Sequence, residues 1–281
     1  MSTRNNVNVA YEHLAVADSE AAKIAVVSLD RGDKLNGLTL EMLTELSAVA
    51  RKLTADRDLR GVILRGEGKS FCAGLDFASA FKKPSRILRS FVPDIHGTNL
   101  FQRACWDWRR LPVPVIAAVH GHCYGGGLQI ALGADFRITT SDAKWSILEA
   151  KWGLIPDMSG MRTILDEVSA DTARWLTMSG EELSGKEATE MGLATWAVDT
   201  EDAAFELSKE KLAQLATRSP DQLAATKRLF RDVHRSPRST FRAERTQQLL
   251  LLARKNTAII RNAAMKKVSP KFARRGTWAR G

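Results

Sequence analysis

Cysteine is scarce in this 281-residue chain. Cys72, Cys105 and Cys123 are the three present, an odd number with no C-x-x-C spacing. That excludes a disulfide framework and a structural zinc site, and leaves all three as small buried residues. No apolar run approaches the roughly 18 to 20 residues of a membrane span. The N-terminal MSTRNNVNVAYEHLAV lacks the cationic start and continuous apolar block of a secretory signal, so a cytoplasmic protein is expected. Nucleotide-binding motifs are missing as well. GKS at Gly68-Lys69-Ser70 invites a phosphate loop, but the loop requires a glycine five positions before Gly68, where Ile63 stands. Gly121-His-Cys-Tyr-Gly-Gly-Gly127 does not give G-x-G-x-x-G. His120 and His122 have no third ligand near them in sequence, so no metal is expected.

Acidic residues thin out at one end. From Arg218 to Gly281 there are 17 Lys and Arg against 3 Asp and Glu, whereas the first 217 residues carry 25 against 29. The whole net charge of +10 therefore belongs to the last quarter. Such a segment suits a nucleic acid, an anionic surface, the phosphates of a cofactor-like substrate, or simply a solvated helical face with a loose tail.

What is present is a soluble composition, 44% hydrophobic and 26% charged, enough for a large core. Val7–Val16 and Lys23–Asp30 read as neighbouring strands. Helix Leu40–Thr54, capped by Thr39, precedes the strand LRGVILRG. The order repeats with PVIAAVHG, the helix GGGLQIALGA, and then FRITT and AKWSIL, an α/β alternation. From Met161 onward the helical period takes over, and Gln222–Val233 and Phe241–Met265 extend it. We divide the chain into an α/β core, 1–200, and a C-terminal helical region with a basic tail, 201–281. The segment from Phe77 to Arg110, with Lys82, Lys83, Phe91, Trp106 and Trp108, reads as a cover over the core or over a pocket.

Two glycine segments, Cys72-Ala-Gly74 and Gly125-Gly-Gly127, each end a strand and enter a helix. They serve tight turns, or they bring together two free backbone N–H groups that stabilise an oxyanion. Glu149 and Asp157 stand in an otherwise apolar stretch, EAKWGLIPDMSG. Glu149 is either a strand-end carboxylate paired with Lys144 or Lys151, or a base whose pKa is raised among Trp145, Leu148, Trp152 and Leu154. Asp157 is either the cap of the helix beginning SGMRTIL or a second acid, with Ser159 as the alternative cap.

Phe71-Cys-Ala-Gly-Leu-Asp76, Pro114–Gly121 with Gly125-Gly-Gly127, Gly133-Ala-Asp-Phe-Arg137 and Glu149…Gly153-Leu-Ile-Pro156 together resemble the ordered signature of the enoyl-CoA hydratase/isomerase (crotonase) family. The resemblance spans about Lys23 to Leu193, and SPKFARRG is similar to the family's basic tail. It implies a crotonase-like spiral of ββα repeats with a C-terminal helical trimerisation region, assembled as a homotrimer or a dimer of trimers. It implies an acyl-CoA thioester as substrate, with coenzyme A part of that substrate and no separate cofactor. The N–H groups of Ala73 and Gly126 become the oxyanion donors, and Gly74, Leu75 and Asp76 run beside the CoA moiety. Hydratases of the family carry a glutamate where this chain has Gln129, which orients a water or substrate but cannot take a proton. The pair Glu149 and Asp157 resembles the dienoyl-CoA isomerase branch, although that branch also carries an aspartate at the position of Gln129. An acyl-CoA isomerase is thus the leading expectation and a 2-enoyl-CoA hydratase the alternative. A non-catalytic scaffold binding RNA or protein through the basic quarter is a third. Few aromatics interleave those charges, so nucleic acid is not expected as a partner.

Overall fold

The structure is a computed structural model that describes residues 6–16, 20–76, 84–233 and 236–277. Phe77, Lys82 and Lys83 of the expected cover lie outside the described residues. A six-stranded sheet runs in the order β1-β2-β3-β4-β6-β9, built from Val7–Leu14, Ala22–Leu29, Gly61–Gly66, Val115–Val119, Phe136–Thr140 and Trp196–Val198. Val7–Leu14 is antiparallel to its neighbour and the other pairs are parallel, which is why the inner strands read as continuous apolar runs. A second sheet, order β5-β7-β8, joins His122–Tyr124, Lys144–Ser146 and Leu183–Ser184. In the middle of the chain, a long-sheet strand is followed by a short segment in the second layer and then a helical turn. Val115–Val119, His122–Tyr124 and helix Gly126–Leu132 form one such unit. Phe136–Thr140, Lys144–Ser146 and the 3-10 turn Leu148–Trp152 form the next.

One core joins residues of helices Leu40–Ala55 and Leu100–Arg110 to both sheets and holds Leu43, Leu46, Phe71, Cys72, Cys105, Trp108, Cys123 and Trp145. The three cysteines are free and buried there, and burial pushes the Cys72 thiol up to about 12. Trp108 of the expected cover belongs to this core, whereas Phe91 lines the cleft described below. Thr39 caps helix Leu40–Ala55 by accepting from the Met42 N–H at 3.2 Å. The opposite face of the long sheet is covered by helix Glu201–Ala216, whose Ala204, Leu212 and Ala216 pack on Ile24, Ile63, Ile116 and Ile138.

Three details differ from the sequence reading. Trp196–Val198 is a strand inside the stretch that reads as helical; three residues are too few for a period to show. The helical stretch Phe241–Met265 is interrupted, forming the helices Pro237–Leu252 and Lys255–Lys266 with a break at Ala253-Arg254. The basic tail is not loose at Arg275, which is 2% exposed and donates to the carbonyls of Thr54 and Asp56 at 3.3 and 3.0 Å. Gly276 N–H donates to Asp221 at 2.7 Å in the same anchor.

Candidate active site

Where the strands of both layers end, the two glycine segments meet. Cys72 bridges to the second layer, its N–H donating to His122 O at 2.9 Å while its carbonyl accepts from Tyr124 N–H at 3.0 Å. Leu38 then pairs with the next residues, donating to Gly74 O at 2.8 Å and accepting from Asp76 N–H at 2.9 Å. A strand residue flanked by two such bonds points its own N–H the other way, and so it is Leu75 N–H that faces away from Leu38. This corrects the expectation for Ala73, whose N–H is already used in a 2.9 Å bond to Leu35 O. Leu75 N–H has no partner among the described residues. Gly74, at φ +92°, makes the approach possible: a Cβ there would lie 3.0 Å from Tyr124 O and 3.7 Å from Gly126 N. Gly126 opens helix Gly126–Leu132, so its N–H has no intrahelical acceptor. Leu75 and Gly126 therefore present two neighbouring donors without a partner among the described residues, the arrangement that holds a developing oxyanion. Asp76 turns aside to an ion pair with Arg31 at 3.2 Å.

Glu149 reaches the same place from the 3-10 turn Leu148–Trp152. Its carboxylate lies against Gly125, where an added Cβ would come within 3.3 to 3.4 Å of it, and Gly125 adopts φ +49°. No ion pair to Lys144 or Lys151 forms; Lys144 faces Glu182 at 3.8 Å instead. Burial raises the Glu149 pKa, and the nearby Asp157 charge raises it further. Asp157 is half-buried on the cleft wall, and desolvation raises its pKa too.

Neither Asp157 nor Ser159 caps the helix Gly160–Ile164, since Ser159 sits at φ +70° with no capping bond from its side chain. The cap comes from afar. Gln129 Oε1 accepts from the N–H groups of Met158 and Gly160 at 2.8 and 3.0 Å. Its Nε2 donates to Glu149 Oε1 at 2.6 Å. Gln129 is 1% exposed, so it stands behind Glu149 rather than on the cleft wall, and no local sequence signal could have shown this.

The cleft measures about 410 Å³. Ala73, Gly74, Leu75, Gly125, Gly126, Glu149 and Asp157 line it together with Phe91, Phe101, Trp152, Ile155 and other apolar side chains. Apolar walls around a few convergent polar groups are what small-molecule sites show. His120 and His122 do not converge: one meets Gly68 O at 2.9 Å and the other Ser70 Oγ at 2.8 Å. None of the described helices is long and apolar enough to cross a membrane.

The α/β spiral of strand pairs and helical turns, extended by C-terminal helices, is the crotonase class of enzyme fold. The chain belongs to the enoyl-CoA hydratase/isomerase family, whose model matches residues 19–272. It is 34% identical over 190 residues to a Bacillus subtilis (strain 168) protein named probable enoyl-CoA hydratase, covering 68% of this chain and 72% of that one. It is 29% identical over 205 residues to (E)-benzylidenesuccinyl-CoA hydratase of Thauera aromatica, covering 73% and 77%. A crystal structure of enoyl-CoA hydratase from Bacillus anthracis shares the fold with a TM-score of 0.84 at 24% identity, over 95% of this chain and 98% of that one.

Proposed function

We propose that this enzyme is an acyl-CoA isomerase that moves a double bond through a thioester enolate. The observation that carries the reading is the make-up of the cleft. Glu149 and Asp157 are the titratable side chains on its described wall, while Gln129, at the position where hydratases have a glutamate, cannot ionise. The thioester oxygen is received by the N–H groups of Leu75 and Gly126, and the segment Gly74–Asp76 runs beside the CoA moiety. Glu149 removes the proton at C2, and the electron pair of that C–H bond passes into the enolate whose charge the two donors stabilise. A proton returns at C4 of a 3-enoyl group, from Glu149 itself or from Asp157, whose pKa desolvation raises. In the second case solvent then restores the proton balance of the two acids. The reaction draws on no cofactor besides the coenzyme A of its substrate.

The walls support an uncharged acyl group. Among the described lining residues there is no Lys, Arg or His to pair a second substrate carboxylate, and two carboxylates would repel one. The exposed Phe241, Leu249 and Leu252 on helix Pro237–Leu252 support self-assembly, which we propose is a homotrimer or a dimer of trimers; light scattering in solution checks it.

A hydratase is the second reading, and the names of the curated relatives favour it. Incubation with 2-enoyl-, 3-enoyl- and 3,5-dienoyl-CoA, followed by product mass, separates the two. Isomerisation leaves mass unchanged and hydration adds a water. Hydration of 2-enoyl-CoA with no isomerase activity on either other substrate overturns the proposal.

A further inference from the structure

We infer that Gln129 is a positioning residue that holds Glu149 and the Asp157 turn as one unit. The inference rests on reading Glu149 as the base. The orientation of the Gln129 amide is fixed by its partners: two backbone N–H groups converge on Oε1, so the amino side must face Glu149. An amide offers an acceptor to Met158 and Gly160 and a donor to Glu149 without holding a titratable proton, which a glutamate of the same reach would need. With Glu149 Oε1 engaged at 2.6 Å, Oε2 is left buried and without a hydrogen-bond partner among the described residues. The new O–H bond forms on the Glu149 carboxylate as the substrate C–H bond breaks and its electrons move to the thioester oxygen. Met158 directly follows Asp157, so the same glutamine fixes where the second acid stands. The fit is tight, since a Cβ added at Gly160 would lie 2.5 Å from Gln129 Oε1.

The test is exchange of the C2 protons of butanoyl-CoA with deuterated water, followed across pH for the wild type, Gln129→Glu and Gln129→Asn. Butanoyl-CoA has no double bond, so exchange reports enolate formation alone. Gln129→Glu keeps an acceptor for the two N–H groups but sets a second carboxylate against Glu149 Oε1, and the pair must share a proton. The acid limb of its exchange profile should move up by at least about one pH unit, a roughly tenfold slower exchange below the midpoint. Gln129→Asn is too short to reach both sides and should lose roughly tenfold in exchange rate with butanoyl-CoA affinity unchanged. A Gln129→Glu profile with its acid limb unmoved overturns the inference. A gain in 2-enoyl-CoA hydration with the limb unmoved overturns it too, by giving the position to a water. If Gln129→Glu fails to fold, Gln129→Asn decides, and wild-type exchange in that variant overturns the inference. Butanoyl-CoA that binds the wild type without any exchange removes Glu149 as base and the inference with it, an outcome visible before any variant is made.

Discussion

Two regions of this molecule bury charge in opposite ways. Arg137 is 2% exposed, and its guanidinium donates to Leu193 O at 2.6 Å, to Ala134 O at 3.1 Å and to Glu167 at 2.5 Å. Glu167 meets Arg109 on its other oxygen at 2.8 Å, and Asp166 pairs with Arg109 as well. Nearby, the Lys227 ammonium meets Asp135 at 2.6 Å and two carbonyls, tying the C-terminal helix Pro220–Asp232 to the strand ends. In the cleft, burial raises the pKa values of Glu149 and Asp157 as it does that of Glu167, but among the described residues no cation stands against them to oppose the rise. Pairing uses a charge to hold structure together. Leaving a carboxylate unpaired in an apolar wall destabilises its ionised form, and a base poised nearer neutrality is the result.

The largest effect should come from breaking the paired cluster. Arg137→Met leaves Glu167 with one cation and removes three donated bonds, and denaturant unfolding should show a loss of about 3 to 5 kcal/mol. Next comes Glu149→Gln, which removes the proton acceptor and should slow isomerisation by roughly 10²- to 10⁴-fold in kcat with KM little changed. Asp157→Asn should cost about tenfold to a hundredfold if Asp157 returns the proton at C4, and nothing measurable if Glu149 works alone; steady-state kinetics on 3-enoyl-CoA decides.

The smallest effect has the most informative sign. A carboxyl whose pKa is raised on folding binds its proton more tightly in the folded state than in the unfolded one. Its contribution therefore favours folding at low pH and is lost as pH rises from the ordinary values, 4.5 for Glu149 and 3.8 for Asp157, through the raised ones. Glu149→Gln should be more stable than the wild type at pH 7, and the gain should vanish as the pH falls below 4.5, the ordinary value for Glu149. Thermal unfolding of both proteins across that range checks it. A stabilised protein without activity would be the converse of Arg137→Met.

Much of the fold was legible because its signals are local. The apolar runs of Gly61–Gly66 and Val115–Val119, the Thr39 cap and the glycine-opened helix all follow from periodicity and side-chain chemistry within a few residues. Glu149 and Asp157 stood out as carboxylates in an apolar stretch. What stayed hidden depends on partners far away in the chain. Whether Ala73 or Leu75 turns its N–H to the cleft is set by the pairing of Leu38 with Gly74 and Asp76. That Gln129 caps the turn at Met158–Gly160 is a contact across about thirty positions, 29 and 31 in sequence. The burial of Arg275 against Thr54 and Asp56 spans more than two hundred, 221 and 219. A basic tail that looks solvated in composition can thus be an anchor in the fold.

The claim that two unpaired carboxylates and two free N–H groups relocate a proton is tested most directly with 3-enoyl-CoA deuterated at C2. The wild type should convert it to 2-enoyl-CoA with one C2 deuterium removed, either carried to C4 or lost to solvent, and with no water added. A product that retains both C2 deuterons, or a hydroxyacyl-CoA in place of the shifted isomer, would contradict the account.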